Sequence, residues 1–204
     1  MTLEELALQI SGPERSGHVE RAREVLKRME YVEHPVGVEV GVYVADMSIE
    51  LLKNPALTLF MVDPWGATAE DSPYYKSGDH HAQITDGAQQ VYEQYSRARV
   101  DGKRAVVLKA RSTDAALLFS RELDFVFLDG DHSYEAVVAD IEAWRSKIRI
   151  GGWLCGHDYA NKTFPEFGVQ RAVDEFITAT ESSLEFGENM TWFVRINKRN
   201  GGGQ

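Results

Sequence analysis

FVFLDGDHSYEA, residues 125 to 136, runs four apolar residues straight into Asp129, Gly130, Asp131, His132, Ser133 and Tyr134. An apolar run that stops abruptly at carboxylates and an imidazole reads as a buried strand whose carboxyl end opens onto a chemical site. The rest of the chain repeats the pattern. PVGVEVGVYV (35–44), LTLFMVD (57–63), AVVLKA (105–110) and GGWLCGHD (151–158) are further apolar stretches, each with a glycine or a polar residue at or near its end. Helical spacing lies between them: DMSIELLK halts before Asn54 and Pro55, Ile84, Ala88, Val91 and Tyr95 share a face, and so do Val137, Ile141, Trp144 and Ile148. GVQRAVDEFITA adds a last helical face through Val169, Ala172, Val173, Phe176 and Ile177, and TWFVRINK reads as a final strand. Strands alternating with helices predict an α/β, doubly wound, mostly parallel sheet with helices on both faces, whose ligands bind beyond the carboxyl ends of the strands.

The chain has 204 residues, 43% of them apolar, which suits one globular domain with a sizeable core. Leu3, Leu6, Ala7 and Ile10, then Val19, Ala22, Leu26 and Met29, predict N-terminal helices over 1–34, ahead of an α/β unit over 35–198 and a flexible tail over 199–204. With 22 basic and 32 acidic residues the net charge is −10, and no basic stripe offers itself to nucleic acid or an anionic membrane. A single cysteine, Cys155, excludes an internal disulfide, and MTLEELALQI lacks the basic flank and apolar run of a signal peptide, so a cytoplasmic protein is expected. No apolar segment approaches the ~20 residues that span a bilayer. The stretch WGATAEDSPYYKSGDHHAQ (65–83) is a long loop on the presumed ligand side and reads as a lid. Its vicinal His80 and His81 read as solvated.

At the first strand end, Glu39, Gly41 and Ser48 surround a strand-to-helix turn, a set suited to a ligand carrying both an ammonium and a carboxylate. The dinucleotide fingerprint is absent, because Tyr43 and Val44 stand where it keeps small residues, which argues against nicotinamide. Asp63, ending the second run, suits the vicinal hydroxyls of a ribose. An amino acid beside a ribose suggests S-adenosylmethionine.

EVGVYVADMS, LFMVDPWG, FVFLDGDHSYEAVVADIEAW, GGWLCGHDY and GVQRAVDEF together resemble a class I S-adenosylmethionine-dependent methyltransferase of the small-molecule O-methyltransferase group, catechol- and macrocin-like, over residues 36–177. The resemblance implies a Rossmann-like seven-stranded sheet, six strands parallel and one antiparallel, with TWFVRIN reversed. It departs from the family's glycine-rich first motif at Tyr43 and Ala45. It implies that Glu39, Gly41, Tyr43 and Ser48 border the methionine part of the cofactor, that Asp63 holds the ribose, that Ser112 lies by the adenine, and that Trp65 covers the adenine or faces the substrate. Asp129 would stand between the sulfonium and the acceptor. Asp129 and Asp158 would hold a magnesium ion, with His157 or Asp131 completing the shell, and His132 would act as a neutral general base with a pKa near ~6.5. The implied partner is a small-molecule acceptor bearing a hydroxyl, and the N-terminal helices allow a homodimer. Other readings of the same residues are a non-catalytic adenosylmethionine-binding module, an N-methyltransferase and an oxidoreductase.

Overall fold

The computed structural model describes residues 2–6, 16–120 and 122–197; the expected tail at 199–204 and most of the first N-terminal helix lie outside them. Helices α1 (Ser16–Arg28), α2 (Asp46–Leu51), α3 (Pro73–Lys76), α4 (Asp86–Val100), α5 (Ser112–Ala116), α6 (Tyr134–Arg145) and α7 (Val169–Thr180) alternate with strands β1 (Val36–Val40), β2 (Thr58–Asp63), β3 (Ala105–Lys109), β4 (Leu123–Leu128), β5 (Ile148–Gly156), β6 (Leu184–Phe186) and β7 (Trp192–Arg195).

The strands form one seven-stranded sheet in the order β3-β2-β1-β4-β5-β7-β6. β1 to β5 pair in parallel, and β7 runs antiparallel to both β5 and β6, so six strands share a direction and β7 is the reversed one. The order switches direction between β1 and β4, the point where doubly wound sheets open a crevice.

The sheet is buried on both faces. Val38 and Val40 point into one cluster with Val126, Leu154, Ile141 and Trp144 of α6, and Val173 of α7. Met61, Phe125, Phe127 and Phe193 point into the other, against Ala22 and Val25 of α1, Met29 just after it, Leu51 of α2 and Tyr92 of α4. This explains the near-continuous apolar runs, because a parallel strand covered on both sides has no polar face to show. Trp144 is fully buried, and its truncation to alanine would cost roughly 3–5 kcal/mol.

Three local readings are corrected. The core face of α1 is Ala22 and Val25, continued by Met29 just after it, while Val19 is exposed, so the helix is rotated from the face its outermost valine suggested. β1 stops at Val40, because Gly41 turns the chain at φ +82. The 65–83 loop holds one helical turn, α3, whose N-terminus is capped by Ser72 Oγ accepting from Tyr75 N at 3.1 Å, with Pro73 at the first helical position.

Candidate active site at the carboxyl ends of the strands

The turn after β1 is fastened from several sides. Gly41 N donates to Val62 O at 3.0 Å, and Asp129 N donates to Val40 O at 2.9 Å, so the ends of β2, β1 and β4 are drawn level. A Cβ on Gly41 would lie 2.0 Å from Asp129 O, so the residue is glycine because β4 passes there as well as because φ is positive. Tyr43 and Ala45, which replace the family's glycines, take φ 56 and 63, so the turn keeps a glycine-like path with side-chained residues. Asp63 Oδ2 accepts from Val42 N at 2.9 Å and Tyr43 N at 3.0 Å, Arg99 Nη1 donates to Val44 O at 2.6 Å, and Ser96 Oγ donates to Tyr43 O at 3.1 Å. These contacts hold the strained turn.

Glu39 is buried on β1, where Ser48 Oγ donates to its Oε2 at 2.5 Å. Burial pushes its carboxyl up to about 8 against the opposing pull of the Ser48 hydroxyl. A desolvated carboxyl answered by one hydroxyl is short of positive charge, and a ligand ammonium fits it. Asp63 is raised as well, by burial, although three amide N–H groups oppose the shift. Its Oδ1 accepts from Trp65 N at 2.7 Å, so both oxygens first serve the local backbone and Oδ1 keeps the freer acceptor capacity.

Two residues expected at the cofactor sit otherwise. Trp65 is 2% exposed and donates its Nε1–H to Tyr43 O at 3.0 Å, so it is packed beneath the loop and offers no exposed platform. Ser112 Oγ accepts from Trp144 Nε1 at 2.8 Å, and the hydroxyl also bonds Asp140, so it joins α5 to α6.

The residues after β4 and β5 converge. His132 Nε2 lies 2.9 Å from Asp158 Oδ2 and 3.4 Å from Asp129 Oδ1, and His157 Nδ1 lies 3.0 and 3.4 Å from the same two oxygens. The outer atoms are tied back: Arg21 Nη1 of α1 reaches Asp129 Oδ2 at 2.5 Å, Asn161 Nδ2 donates to Asp158 Oδ1 at 2.6 Å, and His157 Nε2 meets Asn189 Oδ1 at 2.8 Å. His132 is stacked on Phe167 with ring centroids 4.5 Å apart and lies edge-on to Tyr74 of the 65–83 loop at 5.2 Å. Tyr74 OH is itself held by Asp79 at 2.9 Å. Asp158 takes φ 61, a strained conformation of the kind that gathers at functional sites.

Burial alone would lower both imidazoles, but the two carboxylates outweigh it and push His132 up to about 10 and His157 up to about 9. Against the upward push of burial, Arg21 and the histidines hold Asp129 well below the usual carboxylate range, and the two histidines hold Asp158 below it. The two carboxylates beside His132 thus favour its protonated form, against the neutral imidazole expected from the sequence.

A divalent cation fits the cluster, since Asp129, His132 and Asp158 present ligand atoms within 4.8 Å of one another. His157, the histidine expected to ligate, lies beside this trio and is joined there by His132. Sequence reading missed Arg21, Asn161, Asn189, Tyr74 and Phe167. Only the aromatic and acidic bias of the 65–83 loop signalled any of them.

Comparison with known proteins identifies the family and the fold. The family model described as a methyltransferase domain matches residues 36–159. Among solved structures the chain is similar to the O-methyltransferase NovP, at 14% identity over 89% of this chain and 80% of that one, with a TM-score of 0.65. It is similar to CalS11, the calicheamicin methyltransferase, at 12% identity over 96% and 91%, with a TM-score of 0.66. An rRNA methylase from Streptococcus thermophilus matches at 9% identity over 89% and 94%, with a TM-score of 0.55. Likeness at such identities is a likeness of fold, and it does not fix the acceptor.

Proposed function

The chain belongs to the methyltransferase domain family and is a class I S-adenosylmethionine-dependent methyltransferase, and from that premise we propose that its acceptor is a hydroxyl oxygen of a small molecule, with a divalent cation assisting at the ends of β4 and β5. The observation that carries this reading is the pair of carboxylates, Asp129 and Asp158, each with one oxygen tied back by Arg21 or Asn161 and the other facing His132 and His157.

Glu39, with Ser48 behind it, would take the ammonium of the cofactor's methionine part, and the turn at 41–45 would follow its backbone. Asp63 would accept from the ribose through Oδ1. Trp65 and Ser112 would support these contacts from beneath. Tyr74, Phe164 and Phe167 form an aromatic wall on the acceptor side, with Phe164 and Phe167 stacked at 4.9 Å. The 65–83 loop, brought over His132 by Tyr74, would exclude water from the reacting atoms.

The cofactor would supply an electrophilic methyl on a sulfonium, and the cation would acidify the acceptor hydroxyl so that its proton is lost to solvent before the loop closes. The new carbon–oxygen bond forms as the carbon–sulfur bond breaks, and S-adenosylhomocysteine leaves. Alignment by the strand ends supplies most of the barrier reduction. With His132 set between two carboxylates, no strong side-chain base is needed. The net charge of −10 supports a small-molecule acceptor over nucleic acid. No described helix is long and apolar enough to cross a membrane, and a free, buried Cys155 fits a cytoplasmic setting.

Release of S-adenosylhomocysteine from S-adenosylmethionine, measured against a panel of phenols, catechols and sugar nucleotides with and without EDTA, tests the reading. Release that needs both a hydroxylated acceptor and a cation supports it. Stabilisation by S-adenosylhomocysteine with no turnover on any acceptor would point to a binding module.

A further inference from the structure

We propose that Asp79, His80 and His81, in the 65–83 loop, form a site for zinc or a similar first-row transition dication, which fastens that loop over the strand ends. The site is distinct from the cluster that follows β4 and β5, and it stands whether or not a cation assists there. One ligand atom from each of the three residues lies within 4.8 Å of the other two. Asp79 Oδ1 is 3.5 Å from His80 Nδ1 and 3.2 Å from His81 Nδ1. Ligand atoms about 2.0–2.1 Å from a shared zinc ion lie about 3.3–3.4 Å apart at tetrahedral angles, so both imidazoles stand off the carboxylate oxygen as ligands of one ion would.

The carboxylate is built into the fold, while the imidazoles can be reached from outside. Asp79 is 4% exposed, its Oδ2 accepts from Tyr74 OH at 2.9 Å and its Oδ1 accepts from His81 N at 3.1 Å. Tyr74 therefore orients it from behind, as supporting residues orient metal ligands, and Oδ1 keeps a lone pair for an ion. The sequence reads His80 and His81 as solvated, and both side chains do meet solvent, which gives an ion its way in. Their rings are nonetheless packed together with centroids 3.8 Å apart, and His81 lies edge-on to Tyr43 at 4.8 Å. Two histidines that were only solvated would have no need to gather round a buried carboxylate.

The donor chemistry then selects the ion. Two imidazoles and one carboxylate suit Zn²⁺, Ni²⁺ or Cu²⁺, whereas magnesium and calcium take oxygen ligands. In a tetrahedral ion three protein ligands leave the fourth position to water. The ion acts on the loop through the neighbours of its ligands. Tyr74, on the far oxygen of Asp79, lies edge-on to His132 at 5.2 Å, and His81 rests against Tyr43 of the turn after β1. Fixing Asp79 and His81 on one ion therefore holds the loop against both.

The test uses the native chain, stripped with EDTA, dialysed and titrated with Zn²⁺. Long-range proton–nitrogen correlation spectra of the imidazoles should show the ring nitrogens of His80 and His81 shifting as Zn²⁺ binds, a readout that needs no variant. Calorimetry should give a Zn²⁺ site that His80→Gln, His81→Gln and Asp79→Asn each weaken by more than the about 10–100-fold that loss of a supporting residue gives. Asp158→Asn should leave that site in place. Amide hydrogen exchange over residues 74–83 should slow when Zn²⁺ is added to the native chain and not when it is added to His80→Gln. Ring shifts confined to His132 and His157, or a Zn²⁺ affinity that Asp79→Asn leaves unchanged, would overturn the site. Bound Zn²⁺ with unchanged exchange over 74–83 would overturn its hold on the loop.

Discussion

His132 Nε2 lies 2.9 Å from Asp158 Oδ2, which joins the turn after β4 to the turn after β5. Each residue belongs to a different loop, and neither loop alone could make the site. The contact also sets the charge balance of the cluster, in which two imidazoles answer two carboxylates.

That balance gives the metal-free protein a particular dependence on pH. A histidine whose folded pKa is raised contributes stability that is complete below its unfolded value, ~6.5, and is lost as pH rises through the folded one. His132 and His157, pushed up to about 10 and about 9, therefore make the chain less stable as pH climbs between those limits, and Glu39, raised to about 8 by burial, acts in the same direction. The depressed Asp129 and Asp158 act at the acid end, where their contribution is lost as pH falls below ~3.8. Melting temperature in EDTA should fall steadily from pH 6.5 to 9.5. Mn²⁺ should flatten that fall, because it replaces the protons. A flat profile in EDTA would show that the imidazoles are not held charged.

The turn after β1 should respond oppositely to two exchanges of glycine and alanine. Gly41→Ala places a Cβ 2.0 Å from Asp129 O at φ +82 and should cost several kcal/mol or prevent folding. Ala45→Gly, at φ 63, removes a left-handed strain of about 1–2 kcal/mol and offsets the glycine's entropy of about 0.5–1 kcal/mol. Urea denaturation should show it neutral or up to about 1 kcal/mol more stable.

Asp63→Ala should do two things at once. It strands the amides of Val42, Tyr43 and Trp65, at about 1–3 kcal/mol for each that finds no water. It should also weaken S-adenosylhomocysteine, by about 1.5–3 kcal/mol for each charge-assisted bond lost. Calorimetry on the folded fraction separates the two effects. Unchanged affinity would confine Asp63 to the turn.

Much of this was legible in the sequence, and the failures have physical causes. The apolar runs announced the five parallel strands, because burial on both faces leaves no polar residue inside them. Asp129, His132, His157 and Asp158 stood out because they follow those runs directly. β6 was not legible, since its three residues are half-exposed and pair only with β7. Arg21 could not be read either: its partner is 108 positions away, and on α1 it looks like any solvated arginine. Trp65 misled for the opposite reason, because an aromatic at a strand end suggests a ligand platform while its own indole N–H found a backbone carbonyl beneath the loop.

Arg21→Gln should loosen the cation without disturbing the cofactor. The guanidinium fixes Asp129 Oδ2, and loss of such a supporting contact typically weakens a metal about 10–100-fold. Mn²⁺ titration followed by electron paramagnetic resonance, alongside calorimetry with S-adenosylhomocysteine, checks both halves of the expectation.

The most direct test of the central claim is where the methyl group goes. The metal-loaded chain, given S-adenosylmethionine labelled with carbon-13 on its methyl and an acceptor carrying both a hydroxyl and an amine, should yield a product whose labelled carbon resonates as a methyl ether. A labelled N-methyl resonance, or S-adenosylmethionine left intact by a chain that binds it, would contradict the account.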